Sequence, residues 1–575
     1  MPGGAPRHWR VGEAMREAMW VGLLAFISIC LVGNTIWENG DIQVKWWAVR
    51  AWADFQFPDL RADQHTLRWG MNLPVVLFVA AFGGGPLSYL LLHHLLFALT
   101  TAGLYALIRK FTTPLVATAA FAVWMVHPVG YDLSANMMPE LYSLAYLVGA
   151  LLLLCKAYES GSKWVYAAAI AVLLIAYGVK ETNLFLMPGL GLYELMRRRW
   201  ANVAIIVGVF AAGFLVETLA VNAILADSDL LLGRVQAILQ SRHVTWMTSV
   251  PYYESTDLLT RWLFLGRTNL DRLEYFSKIL YWIFFLLSAW KAWQWARART
   301  LLPPSTLLGP DPGAKGDALA ATWAIGLSFA FFTTFFIISL NPLRLGQPPL
   351  DRYLWPMLAP TYIVLSVALK FALDRAANGR GMLLSALDRA RRALEPLSAG
   401  RAGLATLTLI AALGTLTHWA IELGTIHIRR HGYDQPYTLF TAERYYADLR
   451  QRLLQGCTLV FTRTRPAHVI LIHAFPHSAL RPSERMVVMS DSLDGLSVEG
   501  RQLRVWPLPR AEWDAFAGKL HFEPTLPNFQ PYALRLDGGG RCDRTYYVGN
   551  GDIHPRDQPV DSNIAGPPDV PETQP

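Results

Sequence analysis

The chain has 575 residues, 53% of them hydrophobic and only 16% charged, with a mean hydropathy of +0.27. An ordinary soluble domain carries about 25% charged residues, so this composition excludes a soluble globular protein and points to lipid. The net charge of +8 does not indicate nucleic acid, because the Lys and Arg residues fall in short clusters between apolar runs, where they act as topology signals.

A span needs about 20 predominantly apolar residues. In chain order the apolar runs lie near 18–36, 74–92, 94–108, 112–127, 140–157, 164–179, 183–196, 201–221, 278–296, 320–340, 353–372 and 403–423. Gly83-Gly84-Gly85-Pro86 breaks the second of these, so 74–82 reads as a short interfacial helix and 86–108 as a span. The fold class expected is an α-helical polytopic membrane protein of about eleven spans. The basic clusters Arg7/Arg10/Arg16, Arg109/Lys110, Lys156/Lys163, Arg197/Arg198/Arg199, Lys291/Arg297/Arg299 and Arg375 to Arg401 then fall on one side. That side is cytoplasmic by the positive-inside rule, with the N-terminus there and everything beyond about 425 outside. The first run lacks a small-x-small cleavage site and reads as a retained anchor.

The chain divides into a membrane domain at 1–424, an extramembrane α/β domain at 425–548 and a disordered Pro- and Asp-rich tail at 549–575. Strand-like runs at Thr458 to Thr462 and Val469 to His473 and a helix-like stretch at Ala442 to Leu454 suggest the α/β domain. Two of the four cysteines, Cys457 and Cys542, fall inside it and are a disulfide candidate on an oxidising outer side. Pro-rich 300–319 reads as a linker, and 374–401 as a basic amphipathic helix on an anionic leaflet.

The polar residues that stand out lie at the outer ends of the spans. The first outer loop carries Asp41 just past the first span, then Asp63, His65 and Arg68. A carboxylate held at membrane level is costly unless it is used, and it is suited to take a proton from an incoming hydroxyl or amine. His127-Pro128 ends one span and Glu140 opens the next, where a capping role explains Glu140 in part and His127 not at all. Lys180-Glu181 sits where the positive-inside rule disfavours Lys; either the two neutralise one another or the Lys meets an anionic lipid headgroup. Arg344 and Arg352 are likewise outer cations, with Asp351 or a lipid phosphate as partner. His93-His94, within a span, reads as a packed, hydrogen-bonded pair. There is no P-loop, nucleophile elbow or metal-ligand spacing.

In layout and short motifs the chain resembles the GT-C superfamily of integral-membrane glycosyltransferases, which includes protein O-mannosyltransferases and the aminoarabinose transferase of lipid A. The resemblance covers roughly residues 18–372. It rests on an acid soon after the first span (Asp41), His127-Pro128 with Glu140 opening the next helix, Lys180-Glu181 before an apolar run with Pro188, and Arg352-Tyr353 with Pro356 at a late span. It implies a sugar donor on a polyprenyl phosphate or diphosphate, a first-loop acid as catalytic base, and outer-loop cations on the lipid phosphate. Asp41 or Asp63 is then the base, since the paired acids common in that loop are reduced here to Asp41 with Glu38 before it. His65, Arg68, His127, Glu140, Lys180, Glu181, Arg344, Arg352 and Tyr353 become the candidates for binding substrate and lipid phosphate. The resemblance further implies a bacterial inner membrane, membrane lipids as surroundings, an outer acceptor it does not name, and no nucleic acid. A divalent cation stays open as a cofactor. A transporter or flippase of a lipid-linked saccharide, and a surface-polysaccharide polymerase or ligase, are the alternative expectations.

Overall fold

The computed structural model describes residues 11–32, 49, 52, 67–82, 86–127, 138–225, 233–239, 272–298, 313–335, 354–378, 382–398 and 400–429, together with strand segments between 459 and 555. Its helices are α1 Val11–Val32, α2 Trp69–Phe82, α3 Pro86–Phe111, α4 Pro114–Met125, α5 Pro139–Ser160, α6 Lys163–Val179, α7 Met187–Met196 and α8 Trp200–Leu225. There follow α9 Gly233–Leu239, α10 Arg272–Ala298, α11 Ala314–Thr334, α12 Leu358–Asn378, α13 Met382–Leu394 and α14 Gly400–Arg429. Short 3-10 turns at Glu181–Leu186 and Trp355–Met357 lead into α7 and α12.

Each of the eleven expected spans has a helix. Among the described residues seven helical segments are long and apolar enough to cross a membrane, lying in α1, α3, α5, α8, α11, α12 and α14. The others differ for physical reasons. α4 and α6 are apolar but have only 12 and 17 residues, about 18 and 26 Å at 1.5 Å per residue. α10 is long, yet Arg272, Glu274, Lys278, Lys291 and Arg297 punctuate it. The expected span at 183–196 is a 3-10 turn followed by the 10-residue α7. There Pro188 in the first turn of α7 pre-sets the helical φ and lacks the N–H that would continue the helix backwards. The amphipathic helix expected between 374 and 401 is α13, whose exposed end is laced with Arg391–Asp388, Arg392–Asp388 and Arg391–Glu395 ion pairs.

The chain forms two compact units, one of residues 1–33, 59–71 and 93–420 and the other of 34–58, 72–92 and 421–575. In the first, α5 and α6 are a helical hairpin. Gly161 takes the left-handed conformation (φ 66°) that ends α5, and Ser162 caps α6 by accepting the Val165 N–H. α8 packs on α6, while α11 packs on α7 and α5. Lipid offers helices no hydrophobic drive to associate, so close approach and polar pairing hold them. At Gly178 a side chain would run into the Trp69 ring, and at Gly70 into the backbone of Ile175 and Val179, so two glycines let the start of α2 lie directly on α6. Phe97, Trp124, Trp355 and Tyr362 form an aromatic cluster, with the Trp124 indole donating to Thr101 Oγ1 at 2.8 Å.

The second unit contains a six-stranded mixed sheet of order β2-β3-β4-β1-β5-β6, with β1 Leu459–Phe461, β2 Ser497–Val498, β3 Arg501–Pro507, β4 Tyr532–Leu536, β5 Tyr546–Gly549 and β6 Asp552–Pro555. Only the β1–β5 pair is parallel among these. β1 meets the expectation for Thr458 to Thr462; the stretches Val469 to His473 and Ala442 to Leu454 lie outside the described residues. The expected boundary at 548 needs correction. Gly549 pairs with Asp552 and Tyr546 with Pro555, so the sheet continues to Pro555 through a tight hairpin.

Candidate active site

The candidate site gathers where α5 begins and α6 ends. Lys180 leaves α6 in extended conformation, its N–H still bonded to Ala176 O at 3.2 Å. Its ammonium meets Glu140 Oε1 at 2.7 Å, with the two side chains only 7% and 2% exposed. Two buried opposite charges at that distance compensate one another. Asn183 of the following 3-10 turn donates to Ser143 Oγ and to Ala176 O, both at 2.7 Å, which ties the turn to both helices of the hairpin.

A second network adjoins it. Arg234, on the short helix α9, is fully buried; it pairs with Glu181 at 2.8 Å and Glu217 at 2.7 Å and donates to Tyr177 O at 2.6 Å. Its guanidinium lies 4.4 Å from the Tyr177 ring centroid. Glu217 also accepts from the Trp69 indole at 2.6 Å and the Tyr177 hydroxyl at 3.0 Å. Trp69 is the first residue of α2, so one buried arginine joins the start of α2, the Lys180-Glu181 motif and the short helix α9.

His127 lies two residues past the end of α4 and is completely buried. Its ring stands 6.3 Å from Trp124, which stands 6.1 Å from Trp355. The Trp355 turn packs on α5 and α11, and the Glu181–Leu186 turn packs on α11 with Phe185 stacked on Phe332. Thus the starts of α5 and α12 and the ends of α6 and α11 share one end of the bundle. Enclosed there, without a hydrogen-bond partner among the described residues, are Thr182 Oγ1, Asn183 Oδ1, Thr333 Oγ1, Thr334 Oγ1, Trp355 Nε1, Thr361 Oγ1 and the Tyr362 hydroxyl. Enclosed polar atoms are normally paired, so this end is rich in donors and acceptors suited to a polyhydroxyl partner.

Of the residues expected from sequence, the structure brings Lys180 and Glu140 into contact, buries His127 and Arg68, and ties Glu181 to Arg234. The alternative in which Lys180 and Glu181 neutralise one another is replaced, since each has a different partner. Asp41, Asp63, His65, Arg344, Arg352, Tyr353, Cys457 and Cys542 lie outside the described residues. His93 and His94 are buried and bonded elsewhere: His93 Nε2 to the Tyr142 hydroxyl at 3.1 Å, His94 Nδ1 to Cys30 Sγ at 3.5 Å. Among the described residues no three His, Cys, Asp or Glu side chains stand together as a metal cage. Sequence reasoning missed Arg234 and Glu217. The signals were there: a carboxylate inside the apolar run 201–221 and a cation between two apolar runs, at 234.

These features define a polytopic membrane protein with paired charges buried at one end of its helices. Residues 72–221 match the family described as dolichyl-phosphate-mannose-protein mannosyltransferase, about a quarter of the chain. Lys180, Glu140, His127 and Glu217 all fall inside the match. No curated protein matches by sequence. Among solved structures, the chain is similar to ArnT from Cupriavidus metallidurans bound to undecaprenyl phosphate, at 13% identity and a TM-score of 0.48, covering 91% of this chain and 97% of that one. The apo state of that protein gives the same values. The arabinosyltransferase EmbB from Mycobacterium smegmatis is similar at 12% identity and a TM-score of 0.40, covering 81% of this chain and 45% of that one.

Proposed function

We propose that the chain is a glycosyltransferase of a bacterial inner membrane that moves a hexosyl or pentosyl group from a polyprenyl-phosphate carrier to an acceptor on the outer side. The observation that carries the reading is the buried Lys180–Glu140 pair inside the segment that matches the mannosyltransferase family. Paired charges are retained in so apolar a setting when they organise a site. The enclosed hydroxyl, amide and indole groups beside it match the hydrogen-bonding needs of a sugar.

In this reading the N-terminus is cytoplasmic and the site faces outward. A first-loop carboxylate, Asp41 or Asp63, takes the proton of the acceptor's hydroxyl or amine as its oxygen or nitrogen attacks the anomeric carbon. The carbon–oxygen bond to the phosphate breaks, and the lipid phosphate leaves with the bonding pair. Arg344 and Arg352 are the proposed phosphate contacts, because a guanidinium fork suits phosphate oxygens. Lys180 is already neutralised by Glu140, so its proposed part is to fix the start of α5 and the turn after α6 beneath the reacting sugar. His127, buried beside Trp124, is a proposed part of the sugar-binding end. Cys457 and Cys542 are proposed to pair in the outer domain.

The test is sugar transfer by the purified chain from a polyprenyl-phosphate-sugar extract, comparing Asp41→Asn and Asp63→Asn. Loss in one variant alone assigns the base; full transfer by both, singly and together, refutes a first-loop base.

A further inference from the structure

At the opposite end of the same helices lies a feature that sugar transfer does not use. The turn between α7 and α8 is Arg197-Arg198-Arg199. Arg199 N bonds to Glu194 O and Arg198 N to Leu195 O, both at 2.9 Å, the pattern that closes a helix through a left-handed residue. That residue is Arg198, with φ 53°, the one non-glycine residue with positive φ among those described. Gly or Asn adopts this conformation at lower cost.

Its two neighbours are spent inside the fold. Arg199 pairs with Asp317 and with Glu194, and Arg197 pairs with Asp317 at 3.3 Å. The hydroxyls of Tyr158, Tyr166 and Tyr193 and the Asn202 amide take up the remaining oxygens of the two carboxylates. Glu159, nearby on α5, is held by Lys110 at 2.8 Å. Arg198 remains exposed, with no carboxylate within ion-pair reach among the described residues. Exposed Lys163, at the start of α6, makes among the described residues only a 2.6 Å bond to neutral Asn202 at the start of α8.

That bond shows that α6 and α8 begin side by side, with Lys163 at the start of α6 and Arg198 two residues before the start of α8. Flanking them are Trp164 and Trp200, 87% and 66% exposed, the first being the most exposed large apolar side chain described. Exposed indoles at the ends of spans belong at the water–lipid boundary.

We propose that this edge binds the headgroup of an anionic phospholipid, with Lys163 and Arg198 on its phosphate and Trp164 and Trp200 beside its glycerol and upper acyl chains. The proposal rests on the chain's spanning a membrane and is independent of sugar transfer.

The left-handed Arg198 makes a sharp test possible, because Arg198→Gly relieves the backbone while removing the cation. The full-length purified chain is compared in detergent micelles containing phosphatidylglycerol or phosphatidylcholine, by native mass spectrometry of retained lipid and by thermal midpoint. The wild type is expected to retain phosphatidylglycerol selectively and to unfold at higher temperature with it. Arg198→Gly and Lys163→Gln are each expected to weaken that retention about fivefold, the equivalent of ~1 kcal/mol per cation, while Arg198→Gly is at least as stable as wild type in phosphatidylcholine. Wild-type retention of phosphatidylglycerol by Arg198→Gly, equal retention of the two lipids by the wild type, or a loss of stability by Arg198→Gly that is the same in both lipids would each overturn it.

Discussion

Replacing Lys180 by Met removes the ammonium that faces Glu140 and leaves a carboxylate 2% exposed without its cation. At 2.7 Å the attraction amounts to about 6 kcal/mol at an effective dielectric near 20. Desolvation of several kcal/mol per ion offsets most of it, so the intact pair contributes little net stability. Breaking it is different, and Lys180→Met is expected to cost about 3–5 kcal/mol, as is Glu140→Leu. The double variant Lys180→Met/Glu140→Leu, which buries two apolar side chains, should return to within about 1–2 kcal/mol of wild type. Unfolding titrations of the purified chain in mixed micelles, read by tryptophan fluorescence, measure all four species. Transfer activity is expected to stay lost in the double variant although stability returns, because the charges organise the site. If either single variant is as stable as wild type, or the double variant is no more stable than the singles, the buried-pair reasoning fails.

Arg234→Met should cost about 3–5 kcal/mol by stranding Glu217, with Arg234→Lys recovering part of it, and limited proteolysis should then cut the loop carrying α9 faster; unchanged stability and cleavage would count against the network. Gly178→Ala should cost about 1–3 kcal/mol, because its Cβ meets the Trp69 ring, read as a lowered thermal midpoint; an unchanged midpoint would contradict the close approach of α2 and α6.

The helical runs were legible because apolar length is a local property of the sequence. All eleven expected spans carry helices for that reason. The break at 181–186 was less legible: its residues are as apolar as a span, and only Pro188 hints that helix does not run through. Lys180, Glu140 and Glu181 were singled out because charges at span ends are rare, but their pairing was not legible. Lys180 lies 40 residues from Glu140 and next to Glu181, so adjacency suggested the wrong partner. Arg234 and Glu217 carried a signal as charges in unexpected places, though only the fold shows that one answers the other. Strand β6 was misjudged because Pro- and Asp-rich composition resembles a tail, while its pairing with β5 is set by the sheet.

The central claim is that a bond is broken at the outer face of a helical scaffold. It is tested most directly by reconstituting the chain into proteoliposomes with a polyprenyl-phosphate-linked sugar and measuring release of free polyprenyl phosphate. Release by the wild type and its loss in the Asp41→Asn/Asp63→Asn variant is the result expected. Movement of the intact lipid-linked saccharide across the bilayer without release, or undiminished release by the double variant, would contradict it.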